Sequence, residues 1–267
     1  MPTDPINPQD TSSAVPSSAD PAACVGFYGK LPARGDFVQR NLPRSFIDPW
    51  DDWLQEALAG SREQLGEQWL RSYLTSPVWR FALCGGLCGE QAVAGVLIPS
   101  VDRVGRYFPL AITALLPDTV EPLVLAEQAR SWYESVESLI LQGLEDDLDF
   151  EQYATEVSQL AAPQLGESTV EAAANKQNWC CPVTDLTTLR QLRATLTPLL
   201  LRRAFGAYSV WWTQGSEHIA PCLLLCSGLP AVPGYAALLA GQWERWDWWV
   251  VPLATAATKT DDPLGEL

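Results

Sequence analysis

Short apolar runs of strand length, bounded by turn-forming residues, limit the folds that this chain can adopt. The runs lie at residues 25–28, 79–83, 92–98, 107–116, 208–213 and 222–226. Gly85-Gly86 follows one of them, and Gln214-Gly215-Ser216 separates the last two. Runs joined by such turns are typical of antiparallel hairpins, and continuous apolar character indicates strands covered on both faces.

Amphipathic helical patterns separate these runs. Asp48-Pro49 predicts a helix start, with Asp as the N-cap and Pro at the first helical position, and Trp50 and Trp53 open its apolar face. Further helical patterns lie at residues 62–74, 125–140, 150–160, 189–196 and 233–243, with Thr197-Pro198 expected to interrupt or restart the fourth. The sequence therefore predicts an α/β fold in which a mixed, largely antiparallel sheet lies between helical layers.

The ends of the chain lack a core pattern. Residues 1–23 are rich in Pro, Ser, Asp and Ala, so we expect a disordered tail there, and residues 254–267 are expected to be a flexible tail. Residues 24–253 are expected to form a single domain, with 162–180 as a loop or insertion. The four indoles between Trp243 and Trp249 favour core packing, with an exposed aromatic patch as the alternative.

The charge balance is strongly acidic, with 32 acidic and 17 basic residues and a formal net charge of −15. This argues against nucleic acid or an anionic membrane surface as a partner. Much of the excess lies in residues 118–172, where Arg130 is the one basic residue. We interpret these acids as a solvated helical face; an acidic docking surface for a basic partner is the alternative.

The absence of export signals and the cysteine usage both indicate a reducing compartment. The sequence has neither an apolar run long enough for a membrane span nor a secretory signal at its start, so we expect a cytoplasmic protein. Its seven cysteines include no C-x-x-C pair and are expected to be mostly buried free thiols. His218 is the one histidine, and we expect neither a metal site nor a cofactor.

No catalytic motif stands out. A G-x-S-x-G elbow is absent, and the glycines around Lys30 lack P-loop spacing. Two loops, residues 29–43 and 99–110, combine Pro and Gly with Arg and Asp. Asp36 and Asp102 could pair with arginines and hold these loops rigid. Alternatively, the cationic side chains of these loops could present a recognition patch.

The same loops resemble a known family. GFYGKLPARGDFVQRNLP, WDDWLQEAL, SPVWRFAL, GVLIPSVDRVGRYFPL and YSVWWTQGS occur in that order. Over about residues 25–245 they are similar to TagF, a family of type VI secretion-associated proteins. The resemblance implies a three-layer αβα sandwich. The matching loop positions are Lys30, Pro32, Arg34, Gly35, Asp36, Asp102, Arg103, Gly105, Arg106 and Tyr107.

The resemblance also implies regulation without catalysis. TagF-type proteins repress type VI secretion after translation, and the proposed route is binding of the forkhead-associated scaffold protein Fha. Lys30, Arg34, Asp36, Asp102, Arg103, Arg106 and Tyr107 are the candidates for partner binding or loop definition. The competing hypotheses are a nucleotide- or metal-dependent enzyme that uses the same two loops, and a structural subunit of the secretion apparatus.

Overall fold

The structure, a computed structural model, describes residues 24–165 and 189–252. The strands in this part of the chain are β1 (Cys24–Gly29), β2 (Val38–Arg40), β3 (Trp79–Leu83), β4 (Ala92–Ile98), β5 (Leu110–Leu116), β6 (Tyr208–Thr213) and β7 (Cys222–Ser227). The α-helices are α1 (Arg44–Leu65), α2 (Trp69–Leu74), α3 (Pro122–Gln128), α4 (Arg130–Gln142), α5 (Phe150–Gln159), α6 (Leu189–Phe205) and α7 (Tyr235–Ala240). Short 3-10 turns lie at Gly66–Gln68, Val232–Gly234 and Trp243–Trp246.

One sheet contains all of the named strands, in the order β2-β1-β5-β4-β3-β6-β7. Every pair of neighbours in that order is antiparallel, so within the described residues the sheet is more uniform than the mixed arrangement expected. The predicted hairpins β3–β4 and β6–β7 are present, and Phe81 lies opposite Gly95 in the first. Strand β5 pairs with β1, which brings together two segments that lie far apart in the sequence.

Helices cover both faces of the sheet, which confirms the predicted three-layer α/β architecture. On one face α1, α2 and α7 pack over an aromatic stack, in which the ring centre of Trp50 lies 4.8 Å from that of Phe81 and 6.2 Å from that of Trp211. On the other face α3, α4 and α5 pack over Phe27 and Ile112. Because consecutive strand residues point to opposite faces, a single run of apolar residues supplies both cores.

The predicted start of the first helix is wrong. Helix α1 begins at Arg44, after Pro43, and Pro49 lies inside it. Phe46 and Ile47 precede that proline and are buried against the sheet. Burying two such side chains contributes about 1.5–3 kcal/mol each, which offsets the roughly 3 kcal/mol cost of an internal proline.

Other helix boundaries also differ from the sequence prediction. The segment 62–74 is divided between the end of α1 and α2, and Leu70 on α2 is exposed. The expected long helix over 125–140 is broken at Ala129, whose backbone leaves the helical region at ψ 26°. Helix α6 continues through Pro198. In the apolar run at 107–116 the strand begins only at Leu110.

The acidic segment is only partly the solvated helical face that the sequence predicts, because Glu121 is buried beside Arg202 and the centre of the run lies in a turn. Glu145, Asp146 and Asp147 are exposed in the turn between α4 and α5. Near the Trp-rich segment, Trp243 and Trp248 pack against the core, whereas Trp249 is 89% exposed. The expected tails 1–23 and 254–267, and residues 166–180 of the expected insertion, lie outside the described residues. Over the two described ranges, no helix combines the length and apolar character of a membrane span.

Candidate interaction site

The two Arg-bearing loops lie side by side at one end of the sheet. The first loop, residues 30–37, follows β1, and the second loop, residues 99–109, joins β4 to β5. They meet because β1 and β5 are antiparallel neighbours. At their junction Gly29 has φ +141°, and a Cβ there would lie 2.1 Å from the Pro109 carbonyl oxygen. Only glycine fits this close approach, so the GK of the sequence motif sets the loop junction.

Asp102 is the centre of the contacts that join the loops. Its Oδ2 accepts hydrogen bonds from Lys30 Nζ and from Arg106 Nε, the latter at 2.7 Å. Its Oδ1 accepts from the backbone N–H of Val104 at 3.0 Å and of Arg106 at 2.9 Å. The carboxylate is buried and all of its strong acceptor positions are used.

These contacts set the ionisation state of Asp102. Burial alone would raise the pKa of this carboxyl, because it disfavours the charged form. Hydrogen bonds from Lys30, from the side chain and backbone of Arg106, and from the Val104 N–H outweigh burial and hold the pKa well below its usual range. Asp102 is therefore an anion at neutral pH whose charge two cations neutralise.

The second loop contains a tight turn at residues 102–106 with an exposed tip. Gly105 donates its N–H to the Asp102 carbonyl at 2.9 Å, and Asp102 donates its own N–H to the Arg106 carbonyl at 3.0 Å. Gly105 has φ +85°, a conformation that favours glycine. Val104, at the tip of the turn, is 65% exposed. The turn thus presents an apolar side chain to solvent beside the flanking arginines.

Further bonds connect the two loops directly. Arg106 Nη2 donates to the Gly35 carbonyl and lies 3.3 Å from Asp36 Oδ1. The Arg103 N–H donates to the Arg34 carbonyl at 2.9 Å. Backbone and side-chain contacts therefore join the two loops.

The structure divides the candidate residues between two roles. Lys30 is only 3% exposed and, with Asp102 and Arg106, defines the loops, so it does not contribute to an exposed patch. Tyr107 is partly buried and packs edge-on against Trp69 and Tyr73. The exposed candidates are Arg34, Asp36, Arg103 and Arg106.

A cleft of about 460 Å³ lies beside the loops and includes residues that the sequence analysis missed. We call it the arginine cleft; it is lined by Arg34, Asp36, Arg40, Arg103 and Phe150, among others. The guanidinium carbons of Arg34 and Arg40 lie 4.4 Å and 4.8 Å from the Phe150 ring centre. No local pattern links Phe150, the first residue of α5, to loops more than 40 residues away; only the packing of α5 on β1 does so.

The cysteines behave as the sequence predicts where they are described. Cys84, Cys88 and Cys226 are free and buried, and Cys24 and Cys222 are free and partly buried. Burial raises the pKa of the Cys88 thiol to about 12. Cys180 and Cys181 lie outside the described residues. Within 24–165 and 189–252, no three His, Cys, Asp or Glu side chains are grouped as metal ligands.

Comparisons with known proteins place the chain in a family. The model for the TagF N-terminal domain, described as type VI secretion system-associated, matches residues 26–160, which include both loops and Phe150. The crystal structure of PA0076 from Pseudomonas aeruginosa PAO1 is 39% identical, with a TM-score of 0.73, over 88% of this chain and 100% of that chain. None of the curated proteins matches. The chain therefore belongs to the TagF N-terminal domain family, which is associated with type VI secretion.

Proposed function

We propose that this protein is a cytoplasmic, non-catalytic repressor of type VI secretion that acts after translation by binding the scaffold protein Fha. Family membership supports the link to type VI secretion. Repression and Fha binding come from the resemblance of its loop motifs to TagF. The position of the docking site rests on one observation: the pair of joined loops leaves several arginines exposed around the buried, neutralised Asp102 carboxylate.

The chemistry of the loops suits recognition better than turnover. A general base needs a free lone pair, but four hydrogen bonds occupy the Asp102 carboxylate. Lys30, the one buried amine of the loops, is held in the same network. Outside this network, the Arg34 and Arg103 guanidiniums and the Val104 side chain are exposed. Arginines on a preorganised surface are typical anchors of protein interfaces.

The mechanism that follows is sequestration. The bound scaffold is unable to recruit or activate the secretion apparatus, and no covalent bond is made or broken. Affinity depends on a few anchors within an interface of ordinary size. Loop rigidity lowers the entropic cost of binding, because the arginines are held near their bound positions before the partner arrives.

Binding measurements on matched arginine variants test this proposal. Arg34→Ala and Arg103→Ala should each weaken Fha binding about tenfold in a calorimetric titration, with circular dichroism unchanged. Arg71→Ala is the control, since Arg71 is exposed on α2 and lines a different cavity. Arg106 is left intact because its side chain holds the loops together. Unchanged binding in both loop variants would place the interface elsewhere.

A cellular assay separates repression from mere binding. Overproducing the protein should reduce effector secretion, and the Arg34→Ala/Arg103→Ala double variant should lose that effect at equal protein abundance. A thermal-shift screen against nucleotides and divalent metals addresses the enzyme alternative. A concentration-dependent rise in Tm that the same double variant removes would favour the enzyme.

A further inference from the structure

We propose that strand β7, at one edge of the sheet, is the interface through which two copies of this chain form a dimer. β7 pairs with β6 along its full length, and in the described part of the chain no strand pairs with its other side. Alternate residues of an edge strand direct their backbone N–H and C=O groups away from the sheet, where a further strand can bind them. The inference is independent of the docking function, because three strands separate β7 from β5, which the second loop precedes.

The two edges of the sheet differ in how they are protected against further pairing. The opposite edge, β2, is three residues long, ends in Arg40 and is followed by Asn41 with φ +56°. Short length and a charged side chain discourage the addition of another strand. β7 instead has six residues, Cys-Leu-Leu-Leu-Cys-Ser, with neither a charged residue nor a proline. The fold therefore leaves one edge open to association.

Apolar side chains are exposed beside the open edge. Leu225 of β7 and Leu201 of α6 pack against the same small buried cluster. Because side chains alternate along a strand, Leu223 points to the same face as Leu225. Leu223 is nevertheless 55% exposed, and Leu200 on α6 is 52% exposed. β7 and the helix packed beside it thus both leave apolar surface uncovered next to the open backbone of β7.

The sequence of the strand favours a second copy as the partner. Residues 222–226 read Cys-Leu-Leu-Leu-Cys, which is the same in both directions. A two-fold axis pairs an edge strand with its own copy in antiparallel orientation, and this continues the antiparallel order of the sheet. A register centred on Leu224 places Leu223 opposite Leu225 of the second copy on the face that α6 covers. Leucine contacts across the strands then add to the backbone hydrogen bonds.

The charge distribution also favours this edge for self-association. Each copy has a net charge of −15, so two copies associate best where acidic side chains are absent. Residues 186–216 and 218–243, which include α6, β6 and β7, contain no acidic residue. Glu121, which contacts α6, is paired there with Arg202. Repulsion between the two chains is therefore low at the β7 edge.

Sedimentation velocity of the purified full-length protein tests this inference. As concentration rises, the 29.3 kDa chain should form a species of twice that mass, with a dissociation constant on the order of 10 μM for a small interface. Leu223→Lys should weaken dimerisation at least tenfold, because a charge at the edge opposes strand pairing. Leu74→Lys is the matched control, since Leu74 is 52% exposed on α2, which packs on the opposite face of the sheet. A monomer at 200 μM, or a dimer that folded Leu223→Lys leaves intact, would overturn the inference.

Hydrogen exchange on the wild-type protein decides the question even if Leu223→Lys fails to fold. The outward-facing amides of Cys222–Ser227 should exchange about fourfold more slowly at 100 μM than at 1 μM, because the second copy protects them only in the dimer. The amides of β2, at the other edge, are the internal control and should exchange equally at both concentrations. Protection that rises with concentration only in other elements, or that does not change with concentration, would show that β7 is not the interface.

Discussion

At the scale of single residues, one buried carboxylate determines what the surface can present. Asp102 accepts from Lys30 and Arg106 and from two backbone donors, which fixes the second loop against the first. Without this anion, Lys30 would be a buried unpaired cation and Arg106 would lose its anchor. Replacement of Asp102 therefore affects both the stability and the shape of the proposed docking surface.

We predict that Asp102→Asn destabilises the protein in a pH-dependent way. The pKa of Asp102 in the folded protein is lower than the value of about 3.9 expected when unfolded, so its contribution is complete above about pH 5. That contribution is lost as pH falls toward the folded pKa. The urea midpoint of the variant should lie below the wild-type midpoint at pH 7, and the gap should narrow toward pH 3.

Asp36→Asn is the matched control for this experiment. The Asp36 side chain is 97% exposed and contacts Arg106 at 3.3 Å. The urea midpoint of the Asp36→Asn variant should therefore differ little from that of wild type at any pH. A gap between wild type and Asp102→Asn that stays constant from pH 7 to pH 3 would contradict the assigned charge state of Asp102.

Sequence analysis found the loops and expected Asp36 and Asp102 to pair with arginines, as both do with Arg106, but it missed the pairing of Lys30 with Asp102. Composition identified Lys30, Asp36, Asp102 and Arg106 as loop residues, and all four take part in joining the loops. It favoured arginines alone as counter-ions, whereas Lys30 is the buried partner of Asp102. The reason is topological. Lys30 reaches Asp102 only because β1 pairs with β5 and Gly29 allows the backbone at Pro109 to approach closely.

At the scale of elements, polar contacts attach a helix to the middle of the sheet. Arg80 of β3 donates through Nε to Glu137 of α4 at 2.9 Å. On the same helix, Tyr133 donates its hydroxyl to the Phe81 carbonyl at 2.9 Å. Both contacts cross the helix–sheet interface, where apolar packing alone would allow α4 to slide along the strands. They set the register of α4 on β3.

We predict that breaking the Arg80–Glu137 pair is costly and that removing both charges is not. Glu137→Ala should lower the free energy of unfolding by about 3 kcal/mol, because it leaves the buried Arg80 guanidinium without a counter-ion. The double variant Arg80→Met/Glu137→Leu should recover most of that loss. Urea unfolding of the single and double variants measures both effects, with Arg130→Ala/Glu134→Ala as an exposed ion-pair control. A double variant as unstable as Glu137→Ala would rule out this explanation.

The sequence predicted the presence of strands and helices better than the residues at which the helices begin and end. Alternation at Trp79, Phe81 and Leu83 identified β3, and continuous apolar runs identified β4 and β6, because strand patterns are local. Helix ends depended on distant contacts instead. Phe46 extends α1 by packing on Trp50, with ring centres 5.7 Å apart, and thereby outweighs the local signal of Asp48-Pro49.

At the scale of the whole molecule, charge is distributed unevenly around one cleft. The chain is strongly acidic, yet Arg34, Arg40 and Arg103 meet at a single surface, and the acidic turn 145–147 leads directly into it. Acids near a cationic cleft weaken it for every anion and discriminate most against extended acidic ligands. The whole-chain charge therefore affects specificity as well as solubility.

We predict that neutralising the acidic turn strengthens Fha binding at low salt. The variant Glu145→Gln/Asp146→Asn/Asp147→Asn should bind Fha about twofold more tightly at 20 mM salt, because it removes acids that weaken the attraction of the cleft arginines for anionic groups of the partner. At 500 mM salt the gain should vanish as screening shortens the range of these charges. Asp52→Asn/Glu56→Gln/Glu63→Gln, with three exposed acids of α1 neutralised, is the control of equal charge change and should give no gain. If instead the 145–147 variant weakened Fha binding, the acidic turn would be a docking surface for a basic partner.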